Sequence, residues 1–309
     1  MMKRKSFLVL LLVCVWAEMQ AQNEVHVSEI EERNVNGKKT IFVGEQKLNG
    51  VVYEDYVSKK HRYTVKDGVK EGPYELYYPN GNLKRKATFK NDRYDGVFEE
   101  YYNNGQLSLS TGFNQGKYDG PLIRYYENGQ IQAKGYHRDG EYEGAQETYY
   151  EDGQLKSGIA YLEGKKLGLS VKYYENGNLK EKAHYSNDRL EGSYEHYYED
   201  MTLYVRSNYS EGVKHGEFEM FYENGRLKRK GQYKEGKENG PFEIYYPSGV
   251  LKRKGYFEEG RLHGESESYD ENGQLIDKSM FKNGQEISSK KSSIFLYFVY
   301  FLVSSFIGS

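Results

Sequence analysis

The sequence predicts an all-β fold, an elongated and twisted antiparallel meander of stacked β-hairpin repeats, and three observations carry that prediction. A glycine recurs every 24 residues, at Gly72, Gly96, Gly120, Gly144, Gly168, Gly192, Gly216, Gly240 and Gly264. A second glycine follows nine residues later in a Tyr-Tyr-x-Asn-Gly setting, at Gly81, Gly105, Gly129, Gly153, Gly177, Gly225, Gly249 and Gly273, and Met201 is the one break. The chain also holds 33 tyrosines against only 5 prolines. Tyrosine has a large apolar body and a polar tip, which suits a thin sheet that is half buried and half wet. One supersecondary unit copied along the chain makes a surface rather than a single cleft, so the pattern points away from catalysis.

The elements follow in order. Residues 1–21 have the form of a signal peptide: Lys3, Arg4 and Lys5 precede the apolar run Phe7 to Val15, and Met19-Gln20-Ala21 offers a cleavage site. Its removal takes away Cys14, the one cysteine, and leaves no disulfide or thiol chemistry. Removal also takes Lys3, Arg4, Lys5 and Glu18, a net +2, so the formal charge moves from −2 to −4. Lipidation of Cys14 is the alternative, against which stand the bulky Val13 and the short apolar run. Residues 22–35 have no period and are expected to be a mobile leader. Residues 36–71 contain degenerate N-terminal copies that cap the array, with turn signals at Asn36-Gly37, Val43-Gly44 and Asn49-Gly50.

The repeat domain runs over residues 72–287. In its first copy the strands are Tyr74 to Tyr78 and Leu83 to Phe89, and Asn80-Gly81 between them suggests a two-residue type I′ hairpin. Met201 disfavours positive φ, so that hairpin is expected to be wider or strained. The other connection, such as Glu235 to Gly240, is expected to be a longer loop. On this register Tyr78 faces Leu83, Leu76 faces Arg85, Tyr74 faces Ala87 and Gly72 faces Phe89 on one side of the sheet. Gly72 and its equivalents would then leave room for the opposing ring. On the other side Glu75 faces Lys86 and Tyr77 faces Lys84. The acid–base pairing recurs at Glu195–Arg206, Glu219–Lys230, Glu243–Lys254 and Glu267–Lys278. At about 4.8 Å per strand, nine such units would span roughly 85 Å.

Residues 288–309 form an apolar C-terminal tail. Ile294 to Ile307 is almost wholly apolar but shorter than the roughly 20 residues that span a bilayer. A short anchor, an added strand and a non-native tail all stay open for it.

Tyr125-Tyr126-Glu127-Asn128-Gly129 and Tyr173-Tyr174-Glu175-Asn176-Gly177 resemble the MORN-repeat family in its bacterial variant with YYENG hairpins. Phe257 to Gly264 is similar to the aromatic-x-x-G-x-x-x-G core of the wider family. A tryptophan usual near that core is absent here, so the wider family's partners are not carried over. The resemblance covers about 215 residues, Gly72 to about Gly284. It implies a hairpin-stacked sheet used for contact with a protein or a membrane surface. Some bacterial members are antitoxin or immunity proteins.

Composition excludes several classes. The near-zero charge and interleaved lysine and glutamate argue against nucleic acid, which wants a clustered basic face. The seven histidines are scattered, and His184, His196, His215 and His263 form no dense ligand set. Catalytic residues, metal ligands, cofactors and a small-molecule substrate are therefore not expected. The candidate contact surface is the outward ladder Tyr77, Tyr101, Tyr125, Tyr149, Tyr173, Tyr197, Phe221, Tyr245 and Tyr269, flanked by Lys84-type residues. The function expected is an exported, non-enzymatic repeat protein that binds a protein or another component of the cell envelope. The alternatives are an immunity or antitoxin protein and a membrane-binding repeat protein. The location expected is periplasm, cell envelope or exterior, with C-terminal membrane association left open.

Overall fold

Strands dominate because each repeat supplies two runs of alternating side chains between turn residues. The computed structural model describes residues 24–56 and 59–291. Residues 1–21, expected to be a signal peptide, and the apolar run 294–307 lie outside the described residues. The chain divides into two compact units, residues 1–143 with 151–153 and residues 144–150 with 154–309. Among the described residues the only helical turn is the 3-10 segment Val27–Glu29.

In the first unit the strands from Gly50–Tyr56 to Ile131–Arg138 pair in sequence order, each antiparallel to the next. The second unit repeats this from Gly144–Tyr149 to Gln285–Lys291. Each unit is thus an all-β antiparallel meander. The described part of the expected leader is not loose. Glu24–His26 pairs in parallel with Gly50–Tyr56, and Glu31–Val35, Lys38–Val43 and Gln46–Lys47 form a small separate sheet. Val25, Val27 and Ile30 supply the reason, since they pack on the core of the first unit.

The two kinds of turn are the reverse of the sequence expectation. The glycine of the Tyr-Tyr-x-Asn-Gly element has positive φ but Asn80 does not, so this hairpin is not type I′. Gly81 N donates to Tyr78 O at 2.9 Å and Tyr78 N donates to Asn82 O at 2.8 Å, which makes a three-residue loop with a bulge. The Asn80 carboxamide holds it by accepting from Asn82 N at 3.0 Å. Met201 keeps the same loop, with Met201 N donating to Tyr198 O at 3.0 Å, so of the two expectations the strained hairpin holds and the wider one does not: the methionine sits at φ 69°. The type I′ turns lie at the other connection. Glu235 and Gly236 both have positive φ, 51° and 81°, between paired Lys234 and Lys237.

The pairings Leu76–Arg85, Glu75–Lys86, Tyr74–Ala87 and Gly72–Phe89 stand as expected, but Tyr77 pairs with Leu83 because a bulge follows Leu76. Tyr77 therefore does not face Lys84, nor Tyr78 Leu83. Gly72 does not make room for Phe89 either. A Cβ there would meet Thr64 at 3.4 Å, and at Gly168, Gly192 and Gly264 it would meet nothing within 4 Å. The glycine is needed because a bulge forces φ to 103° at Gly72 and 119° at Gly240. Room for a ring is made instead at Gly255, where a Cβ would stand 2.8 Å from Phe242 Cε1.

One face of each meander carries a central row of alternating bulk. In the first unit it runs Val52, Tyr63, Tyr74, Ala87, Phe98, Thr111, Leu122, all buried and joined to Ile41 and Leu48. In the second it runs Ser170, Ala183, Tyr194, Ser207, Phe218, Gly231.

Candidate functional site

The opposite face carries the predicted ladder. Alternation places Glu75, Tyr77, Lys86, Glu99 and Tyr101 on it together. In the second unit the register runs Lys182, Glu195, Arg206, Glu219, Lys230, Glu243, Lys254, Glu267, Lys278 across successive strands. Arg206, Lys230 and Lys254 each lie between two carboxylates. Arg206 approaches Glu195 at 3.3 Å and Glu219 at 3.4 Å; Lys230 reaches Glu243 at 2.8 Å and Lys254 reaches Glu267 at 2.8 Å. Arg206 thus bridges its own repeat and the following one, and Lys230 and Lys254 reach into the following repeat. Lys254, helped by Tyr269 and Lys278, holds the Glu267 carboxyl down to about 2.

All nine ladder residues from Tyr77 to Tyr269 are half-buried. Where a glutamate stands two residues earlier, the phenol is tied to it: Tyr77 donates to Glu75 at 2.7 Å, Tyr101 to Glu99 at 2.7 Å and Tyr197 to Glu195 at 2.8 Å. Tyr149, Tyr245 and Tyr269 bond Glu147, Glu243 and Glu267 in the same way. Burial, reinforced by the carboxylate, pushes Tyr77 and Tyr101 up to about 12. Ile123 and Val171 replace the glutamate before Tyr125 and Tyr173, and Phe221 has no hydroxyl.

The ionic rows are interrupted beside those two tyrosines. In the first unit Arg62, Glu75, Lys86 and Glu99 give way to Ser110 and Ile123. Val97 is 62% exposed there. In the second unit Gly158 opposes Val171. The ladder is thus interrupted in each unit by a neutral, partly apolar pair, Ser110 with Ile123 and Gly158 with Val171, while Lys134 stands opposite Ile123 and Glu147 opposite Gly158.

Sequence reasoning missed the role of the second tyrosine in each doublet. Tyr78 donates its hydroxyl to Tyr101 O at 2.8 Å, and Tyr102, Tyr174, Tyr222 and Tyr246 repeat this to Tyr125, Tyr197, Tyr245 and Tyr269. Each bond rivets one repeat to the next. The Lys84-type residues cap these rings and not the outward ladder, with Lys84 Nζ 5.3 Å from the Tyr78 ring and Lys180 Nζ 5.0 Å from Tyr174. The signal was the constant spacing of the doublet, but nothing in one strand shows that the ring reaches the next hairpin.

Two open dents interrupt the charged face. One of about 260 Å³ is lined by Glu217, Glu219, Lys230, Gln232, Pro241 and Glu243 among others, and one of about 310 Å³ by Arg62, Thr64, Glu71, Pro73 and Glu75 among others. Among the described residues no group of three or more His, Cys, Asp or Glu is arranged to hold a metal ion. No described helix is long and apolar enough to cross a membrane.

The family model described as a MORN repeat variant matches residues 70–91, 94–111, 118–139, 142–157, 166–187, 214–235, 238–259 and 262–283, together more than half of the chain. The chain belongs to the MORN repeat family. The MORN copy around Met201 falls in the gap between these matches. No curated protein matches the chain. Among solved structures it is similar to the TcdB2–TccC3–Cdc42 complex at 12% identity and TM-score 0.18, covering 75% of this chain and 14% of that one. It is also similar to a porin-like protein from Bacteroides uniformis at 10% identity and TM-score 0.17, covering 84% of this chain and 92% of that one. The Tc holotoxin pore of Photorhabdus luminescens follows at 14% identity and TM-score 0.15, covering 82% and 18%. The MORN chain thus spans about a seventh of the first of these structures.

Proposed function

We propose that this MORN-repeat protein is exported and works without catalysis, binding a protein or another envelope component through its charged and aromatic face. The observation that supports this reading is the interruption of the ionic ladder. Where lysine and glutamate alternate, each charge already has its complement, and a partner would have to displace it at a cost in desolvation. At Tyr125 and Tyr173 the carboxylate is replaced by Ile123 and Val171, which leaves rigid aromatic area beside aliphatic side chains. Such area is what contact surfaces use.

Site-specific photo-crosslinking in the native envelope tests the proposal. A photoreactive residue at Tyr125 or Tyr173 is expected to capture one defined partner, while the same group at Tyr77 or Tyr245 captures little. Equal capture at all four positions, or none at any, would refute it. Fractionation with and without residues 292–309 checks the location: retention in the envelope fraction is expected, and a wholly cytosolic protein contradicts export.

A further inference from the structure

The last described strand, Gln285–Lys291, inverts the charge pattern of the ladder face. At the preceding junctions between repeats a base lies opposite a glutamate of the following copy: Lys182–Glu195, Arg206–Glu219, Lys230–Glu243 and Lys254–Glu267. Here Lys278 lies opposite Lys290. Lys278 is satisfied within its own hairpin, by Glu265 at 2.6 Å and Glu267 at 3.0 Å. Lys290 has no carboxylate partner among the described residues. Lys291 lies on the other face, opposite Asp277, whose carboxylate accepts from Ser279 Oγ at 2.8 Å and Ser289 Oγ at 2.9 Å instead. Like charges directly opposite each other destabilise a strand pair, and the repeat avoids this at the other four junctions.

The same strand is an open edge. It pairs with Leu275–Lys282 on one side, no described strand pairs with the other, and all 7 of its residues are exposed. A row of unpaired backbone N–H and C=O groups is satisfied by an extended chain. Charge selects which chain. A strand that continues the ladder must set a carboxylate against Lys290 and a second, on the opposite face, against Lys291. A second copy of this strand does not supply them. Its one carboxylate, Glu286, lies past the bulge opposite Phe281, on the other face from Lys290, with Ser279 Oγ 3.3 Å away. An anionic bilayer would match the charge but leave the backbone row unpaired. Ile287, 60% exposed, adds one apolar contact farther along the edge.

We infer that the open edge of Gln285–Lys291 takes an extended acidic segment of another protein as an added strand, with adjacent carboxylates against Lys290 and Lys291. The edge uses none of the residues around Tyr125 and Tyr173, so the inference stands without the envelope-binding proposal. One short strand buries less than the roughly 1,200–2,000 Å² of a stable interface, so the contact is weak and reversible.

The test titrates the full chain into a fluorescent, end-blocked peptide, Thr-Glu-Glu-Thr-Thr-Val-Thr-Thr. Antiparallel addition sets its glutamates against Lys291 and Lys290 and its valine against Ile287. Fluorescence anisotropy should show a Kd on the order of 100 µM that tightens as salt is lowered. Lysine in place of both peptide glutamates should weaken binding at least about tenfold. Proline in place of the two threonines that follow them keeps the charge but removes backbone donors, and should weaken it as much. Lys290→Glu with Lys291→Glu in the protein should abolish binding of the acidic peptide and transfer it to the lysine peptide. Circular dichroism checks the fold of that variant, and Lys290→Gln with Lys291→Gln, expected to lose the acidic peptide, replaces it if it misfolds. No binding at about 1 mM peptide overturns the inference, as does binding indifferent to the prolines or to the lysine substitutions. Lysine-dependent binding to phosphatidylglycerol vesicles by a chain that ignores the peptide overturns it too, in favour of a lipid contact.

Discussion

The two units use one repeat but hold it together differently. The first pools its buried side chains: Val52, Tyr63, Tyr74, Ala87, Phe98 and Leu122 form one cluster with Ile41 and Leu48 from the N-terminal segment. The second has no such cover among the described residues. Its buried positions include Ser170, Ser207, Ser266 and Ser279, and its large rings are shielded locally. Lys214 lies over both Phe218 and Tyr233, at 4.9 and 5.1 Å, and Phe242 packs on Phe257 at 4.7 Å. The backbone ladder and the tyrosine rivets are common to both units. The comparison teaches that the hairpin framework tolerates either a pooled or a local core, which frees the opposite face to vary.

The largest way to break the comparison is truncation in the pooled core. Phe98→Ala should cost about 3–5 kcal/mol in urea unfolding, while Phe242→Ala should fall at or below the lower end of that range. Equal losses would erase the distinction. Next comes overpacking. Gly255→Ala places a Cβ 2.8 Å from Phe242 Cε1 and should cost about 1–3 kcal/mol. Gly264→Ala meets nothing within 4 Å and suffers only from its φ of 74°. Tyr174→Phe removes one rivet and should cost about 1 kcal/mol, read in the same unfolding assay.

The smallest effect concerns pH. His137 replaces an aromatic residue in the row that holds Phe89 and Phe113, and its ring lies 4.3 Å from Tyr142 and 5.4 Å from Tyr118. Burial lowers its pKa below the usual 6.5, opposed by Glu141. Folding therefore favours the neutral ring. The contribution is present above the ordinary value and is lost as pH falls through the lowered one. Thermal midpoints of the parent should drop from about pH 7.5 to about pH 5.5 more than those of His137→Phe. Identical pH profiles would remove the residue from the account.

Much of this was legible in the sequence. The period gave the meander, and the acid–base pattern gave the register of Glu243–Lys254 and Glu267–Lys278. The turn types were exchanged because Asn-Gly is compatible with more than one hairpin, and the bulge that decides between them is set by backbone pairing. The reason for Gly72 was misjudged on the same ground, since a bulge with φ at 103° leaves no trace in side-chain alternation. The outward ladder was found, but its division into tied and untied tyrosines needed the glutamate two residues earlier to be seen as a hydrogen-bond partner. The rivets depend on a ring crossing to the next copy, which periodicity alone does not reveal.

Native-state hydrogen exchange, resolved residue by residue, tests the contrast between pooled and local cores most directly. The slowest amides should be those of Val52, Tyr63, Val65, Ala87 and Phe98. Protection should be lower around Ser266 and Ser279 and lowest in the fully exposed strand Gln285–Lys291. Uniform protection across both units, or slower exchange in the second, would contradict the account.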